Sequence, residues 1–143
     1  MRPSEEKYHL LYTTIGTNDI ARAIAFWRPI MRSLGHREIE GLGADWAGWG
    51  ESYESGFGFY ICTPFDGHAS SAGNGSIFAF PAKDTGHVRE LYALALQNGG
   101  ADEGAPGTRE YYTPDFYVAY ARSPDRHKLA FVFNHFDPTT DCE

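Results

Sequence analysis

Arg109-Glu110-Tyr111-Tyr112 is the densest run of chemically able side chains in the sequence. An arginine can clamp a carboxylate or an enolate through two parallel N–H bonds. A glutamate can serve as general acid or base where burial moves its pKa. The same pair also fits a solvated loop contact that does no chemistry. Metal chemistry is less well provided for. His9, His36, His68, His87, His127 and His135 show no HxH, HxxxH or HExxH spacing. They read as surface or hydrogen-bonded histidines. Cys62 and Cys142 form no CxxC pair and read as two free thiols rather than a disulfide framework.

These side chains need elements to hold them. Residues Tyr8 to Ile15 are rich in aromatic and β-branched types, which predicts a strand. Asn18 or Asp19 can cap the helix that follows, because a short side-chain oxygen accepts from the free N–H groups of the first turn. Ile20, Ile24, Trp27, Met31 and Leu34 then recur at helical spacing. Pro29 removes one helix hydrogen bond and predicts a kink or an end there, and Gly35 suits the stop. Strands are expected over His36–Leu42, Trp46–Trp49 and Phe57–Cys62. A Gly- and Ser-rich loop runs from Thr63 to Gly75.

The order then restarts. Ser76–Phe80 is an expected strand, and Asp84 or Thr85 an expected cap. Val88, Leu91, Tyr92, Ala95 and Leu96 form the apolar stripe of a second helix. Residues Ala101 to Asp115 read as loop or short strand, and Phe116–Ala121 and Lys128–Asn134 as strands. The whole chain, 1–143, reads as one α+β domain of two βαβββ modules. The first module covers 8–62, a connecting loop 63–75, the second module 76–135 and a C-terminal tail 136–143. Curved antiparallel sheets surround a pocket, with the helices outside.

Twelve Lys and Arg against nineteen Asp and Glu give a net charge of −7. That argues against nucleic-acid partners, which need a positive face. It suits solubility and is compatible with a cationic ligand. No run of about 18 apolar residues is present, which argues against a membrane span. The polar start, Met1-Arg2-Pro3-Ser4-Glu5-Glu6-Lys7, lacks an apolar signal core, so the cytoplasm is the expected compartment.

Several strings carry a family resemblance. The first strand, Thr17-Asn18-Asp19-Ile20 and Ala25-Phe26-Trp27 resemble the opening of vicinal oxygen chelate proteins, the glyoxalase/bleomycin-resistance/dioxygenase group. Pro64-Phe65-Asp66-Gly67, Gly73-Asn74-Gly75 and Gly104-Ala105-Pro106-Gly107-Thr108-Arg109 resemble its lactoylglutathione-lyase-like branch. Ser123-Pro124-Asp125-Arg126-His127-Lys128 is similar to that branch's D-P-D-G-N-K turn. The resemblance covers about Tyr8 to His135. It implies two hemisheets closing on a small-molecule site, a divalent metal held by His, Gln or Glu, and a homodimer.

The implied metal positions carry other residues. Counting from the matched strings, they fall on Tyr12, Ile77 and Ala130. Ile77 and Ala130 have no donor atom, and a phenol ligates only after losing a proton with a pKa of about 10. Since a catalytic ion needs about three protein ligands, no cofactor is expected, with a divalent metal as the alternative. Strand alternation adds Leu10, Thr14, Ala79, Lys128, Val132 and Asn134 to the same faces. The expected wall is apolar, with Trp46, Trp49, Tyr60, Tyr111, Tyr112 and Tyr117 at its rim or floor and Arg109 beside it.

Two functions follow. One is a metal-free drug- or metabolite-binding protein of bleomycin-resistance type. The other is a glyoxalase-like lyase or isomerase, or a dioxygenase-like enzyme, with Tyr12, Arg109 and Glu110 as catalytic candidates. In a third reading, purely structural, Trp46, Trp49 and Tyr60 fill the cavity.

Overall fold

The computed structural model describes residues 9–51 and 57–143. Tyr8, the expected start of the first strand, lies outside them. Along the described chain run β1 (Thr13–Gly16), α1 (Ile20–Ser33), β2 (Trp46–Gly50), β3 (Gly58–Cys62), β4 (Ile77–Pro81), α2 (Thr85–Gln97), β5 (Ala101–Thr108), β6 (Tyr117–Arg122) and β7 (Lys128–Phe133). They build an α+β fold with two open sheets, ordered β1-β3-β2 and β4-β7-β6-β5. Each sheet pairs its first strand in parallel with its last, β1 with β3 and β4 with β7. The remaining pairs are antiparallel.

The predicted strand over His36–Leu42 is corrected to a single bridge, Glu38 to Trp49. Ile39 N–H donates to the Gly48 carbonyl and Gly50 N–H to the Arg37 carbonyl. Gly41 and Gly43, at φ +79° and +96°, then turn the chain off the sheet. The bridge holds the place that β5 holds in the second sheet, so the two halves keep one strand order.

Asp19 caps α1 by accepting from the Arg22 N–H at 3.1 Å, and Asp84 caps α2 by accepting from His87 at 2.7 Å. Of the kink or end expected at Pro29, the end does not occur, since α1 runs through it to Ser33. One hydrogen bond is lost there. Phe26, Trp27, Ile30 and Met31 on either side are almost fully buried, and that burial outweighs the loss. Beyond the Leu34 cap, Gly35 N–H donates to Arg32 and His36 N–H to the Met31 carbonyl, a Schellman ending with Gly35 at φ +86°.

One core serves both modules. The Trp27 ring lies 4.6 Å from Phe59 of β3 and 6.0 Å from Phe80 of β4, and those two lie 5.5 Å from each other. Because strand side chains alternate, Phe59, Ile61, Phe80, Leu129 and Phe131 face the helices. Their neighbours face the other way, into the concave surfaces. The turn after β6 ties the modules together. His127 Nε2 donates to the Gly16 carbonyl at 2.8 Å, and Asp125 accepts from the Asn18 N–H and the Arg22 guanidinium. Among the described residues, no helix is long and apolar enough to cross a membrane.

Candidate ligand site

The second sheet carries a cavity of about 460 Å³ on its concave face. Its floor crosses three strands. Ala130 of β7 stands between Ala79 of β4 and Tyr120 of β6, each its register partner. The two alanines leave room that larger side chains would fill. Ile77, Pro81, Val132, Phe116 and Tyr112 make the walls, and Asn134 brings an amide to the edge. An apolar, aromatic surface with few polar groups is the ordinary make-up of a small-molecule site.

Tyr120 is the polar centre of this face. The Arg109 guanidinium lies 5.5 Å and the Lys128 ammonium 5.0 Å from its ring centroid, both within cation–π range. Burial pushes the Tyr120 phenol up, and the neighbouring Tyr112 and Tyr111 phenols push it further, while Arg109 opposes them. Tyr120 is therefore held as a hydrogen-bond donor rather than a base. Positive charge beside the cavity favours a neutral or anionic ligand, where the net charge alone had allowed a cationic one.

The first sheet presents a smaller cavity of about 340 Å³ lined by Tyr12, Thr14, Leu42, Trp46 and Tyr60. Tyr12 and Trp46 meet Tyr60 edge-on, with centroids at 5.6 and 6.3 Å. A groove of about 250 Å³ runs between the sheets, with Leu10, Leu11, Tyr12 and Phe57 on one bank and Ile77 and Ala79 on the other. Leu10, Tyr12, Phe57 and Ile77 are exposed there, as is Trp46 on the first sheet.

The expected site residues thus divide. Ile77, Ala130 and Tyr112 meet in the second cavity, while Tyr12, Trp46 and Tyr60 meet in the first. Tyr111 packs tilted against Tyr112, with ring centroids 4.6 Å apart, and is exposed. Trp49 and Tyr117 are corrected to core residues. Each is at most 1% exposed, because each lies on the helix-facing side of its strand, and Tyr117 stacks on Phe136. The two therefore leave the binding set, and Trp49 leaves the set expected to fill the cavity in the purely structural reading.

Arg109 is corrected from a free clamp. Its guanidinium donates to the carbonyls of Ala105, Gly107 and Thr108 and so ties down its own loop. Glu110 is exposed. None of these three cavities is lined by both Tyr12 and either of these two. Tyr120, Phe116 and Leu42 escaped the sequence reading. The register of Tyr120 against Ala130 was the signal that could have found the first.

The implied metal positions are poor in donor atoms. Tyr12, Ile77 and Ala130 offer one phenol between them. Among the described residues, no three His, Cys, Asp or Glu side chains converge. His87 and His127 are engaged elsewhere, His87 with Ser33 and the Lys83 N–H and His127 with Gly16.

A curved pair of open sheets with helices behind them and apolar cavities in front defines the class of protein. No family model matches the sequence, and no curated protein matches it. Solved structures do. A glyoxalase/bleomycin resistance protein from Albidiferax ferrireducens T118 is 28% identical at a TM-score of 0.72, over 85% of this chain and 94% of that one. A glyoxalase-related enzyme from Fulvimarina pelagi is 14% identical at 0.69, over 88% of each chain. A glyoxalase/bleomycin resistance protein/dioxygenase family enzyme from Burkholderia phytofirmans PsJN is 19% identical at 0.66, over 85% and 94%. The last two likenesses are of fold alone. The fold is that of the vicinal oxygen chelate superfamily, the glyoxalase/bleomycin resistance/dioxygenase group.

Proposed function

We propose that this protein binds a small organic molecule without a metal, in the manner of the bleomycin-resistance members of its superfamily. The observation that carries the reading is the Ala79–Ala130–Tyr120 floor. At the two implied metal positions on the second sheet, Ile77 and Ala130, the cavity presents hydrocarbon in place of donor atoms. A planar ligand, neutral or anionic, suits the aromatic wall, with Tyr120 donating a hydrogen bond to it. The motif strings support a place near the lactoylglutathione-lyase-like branch.

The protein works as a homodimer in the cytoplasm. The exposed apolar residues around the groove support a second copy, since isolated soluble chains seldom leave such patches uncovered. Cys62 and Cys142, both free, suit a reducing compartment.

The test is metal analysis of the purified protein before and after chelation, with Ni²⁺, Zn²⁺ and Mn²⁺ titrations read by thermal shift. A library of aromatic carboxylates and neutral aromatics is then screened by tryptophan fluorescence. No bound metal and a saturable hit, lost in Ala130→Leu, supports the reading. A stoichiometric ion that stabilises the fold overturns it and brings forward the lyase or dioxygenase. Sedimentation at two concentrations tests the dimer.

A further inference from the structure

A separate pocket of about 450 Å³ lies where the two modules join, and it shares no lining residue with the concave cavities. Three structural elements meet there: the start of α1, the loop before β4 and the turn after β6. We propose that this junction pocket binds a phosphate group carried on a small molecule.

Charge is the first argument. The chain is acidic overall, with twelve basic residues against nineteen acidic ones, yet Arg22, Arg122 and Arg126 all line this one pocket. Asp125 is its one acidic lining residue. That carboxylate is turned inward, with its side chain 3% exposed, and accepts from Asn18 N–H and one Arg22 nitrogen. Arg22 keeps its other N–H donors without a partner among the described residues, and its side chain is 47% exposed. Arg122 is held in place, its Nε on Glu103 at 3.3 Å and a terminal nitrogen on the Arg126 carbonyl at 2.9 Å. Guanidinium groups fixed in this way lose less freedom when they bind.

The second argument concerns Arg126. It sits at φ +72° and is the one non-glycine residue with positive φ among those described. The resembled turn has glycine at this place, the residue that adopts such a φ without strain. Arginine is strained there, and its guanidinium has no hydrogen-bond or ion-pair partner among the described residues. The turn itself needs no arginine, whereas a cation at the mouth of the pocket does. Strain of this kind clusters where a side chain has a task.

The third argument selects the ligand. One bidentate arginine satisfies a carboxylate. A phosphate monoester is tetrahedral and doubly charged, with three oxygens that accept from several directions. Three arginines, one on α1, one at the end of β6 and one in the turn after it, with Ser70 nearby, match the second. Ser70 is positioned by Asn18, whose amide exchanges hydrogen bonds with the Ser70 backbone at 2.6 and 3.2 Å. A net charge of −7 opposes an extended polyanion and leaves a small molecule.

Inorganic phosphate, pyrophosphate and glycerol 3-phosphate are titrated by calorimetry and thermal shift, with ionic strength held constant by chloride. A saturable rise in melting temperature is expected, since the ligand bridges both modules and binds only the folded state. Tighter binding of glycerol 3-phosphate than of inorganic phosphate places the group on a carrier, whereas equal binding overturns the carrier and leaves the free anion. Arg126→Gly should melt no lower than the parent and bind roughly tenfold or more weakly. Arg126→Lys, which keeps the charge and loses the fork, should fall between. No saturable response at constant ionic strength, or Arg126→Gly binding like the parent, overturns the site.

Discussion

The Tyr60 ring lies over Gly48, its partner across the β2–β3 ladder, so closely that a Cβ at position 48 would stand 2.5 Å from Cδ1. A Cβ at Gly58 would meet the same ring from the other side, at 2.9 Å from Cε2. Two glycines therefore let an aromatic ring rest on the sheet and become the floor of the first cavity. Gly48→Ala must lift that ring. The expected cost is about 1–3 kcal/mol, the usual range for overpacking. Urea unfolding measures it. An unchanged midpoint would show that Tyr60 moves aside freely and is no fixed floor.

The three tryptophans should separate by environment. Trp27 and Trp49 are each 1% exposed, and Trp46 is 42% exposed in the first cavity. Acrylamide should quench Trp46 alone. Trp46→Phe should remove nearly all quenching and change stability by under about 1 kcal/mol, as surface substitutions do. Trp49→Ala opens a core cavity and should cost about 3–5 kcal/mol. Quenching that persists in Trp46→Phe would mean that the core opens.

Asp125 joins the modules through a buried carboxylate. Its partners are the Asn18 N–H at 3.1 Å and Arg22 at 3.0 Å. Asp125→Ala leaves the Asn18 N–H unsatisfied and should cost about 1–3 kcal/mol. Arg22 is half exposed, so solvent screens it, and Arg22→Ala should cost about 1 kcal/mol or less. A double-mutant cycle on the pair should give a coupling of at least about 0.5 kcal/mol. Strict additivity would show that Arg22 contributes nothing through the carboxylate.

Element order was legible in the sequence because periodicity changes plainly between strands and helices. Asp19, Asp84 and Gly35 were legible because caps depend on the chemistry of one residue. Residues 101–108 were legible only in part. Gly104, Pro106 and Gly107 left loop and short strand both open, and β5 is an edge strand with bulges, where such residues are tolerated. At Pro29 local propensity left a kink or an end open, and the buried neighbours carry the helix past it. In the candidate site, the faces of β4 and β7 were read from alternation, and Ile77, Ala79, Ala130, Val132 and Asn134 line one cavity. β6 was assigned no inward face, so Tyr117 was chosen on aromatic type and Tyr120 missed. Aromatic type alone cannot tell a core ring from a cavity ring. Register can, but register is a property of pairing between distant segments.

Tyr120 leads to the pH prediction. Its phenol is pushed above the ordinary value of 10.0 by burial first and then by Tyr112 and Tyr111. The unfolded chain therefore loses this proton at lower pH than the folded one. The stabilisation is fully present below pH 10.0 and is lost as pH rises through the folded-state value. Tyr92 is raised in the same sense, by burial and by its hydrogen bond to Asp102 at 2.8 Å. An ultraviolet phenolate titration should therefore show Tyr92 and Tyr120 ionising late. Tyr120→Phe should remove one of them and flatten part of the alkaline loss of stability. Ligand binding that relies on the Tyr120 hydroxyl should likewise hold up to pH 10.0 and fall only beyond it. If Tyr120→Phe leaves the late-ionising population intact, this face of the sheet is open to water, and the apolar cavity at its centre loses its physical basis.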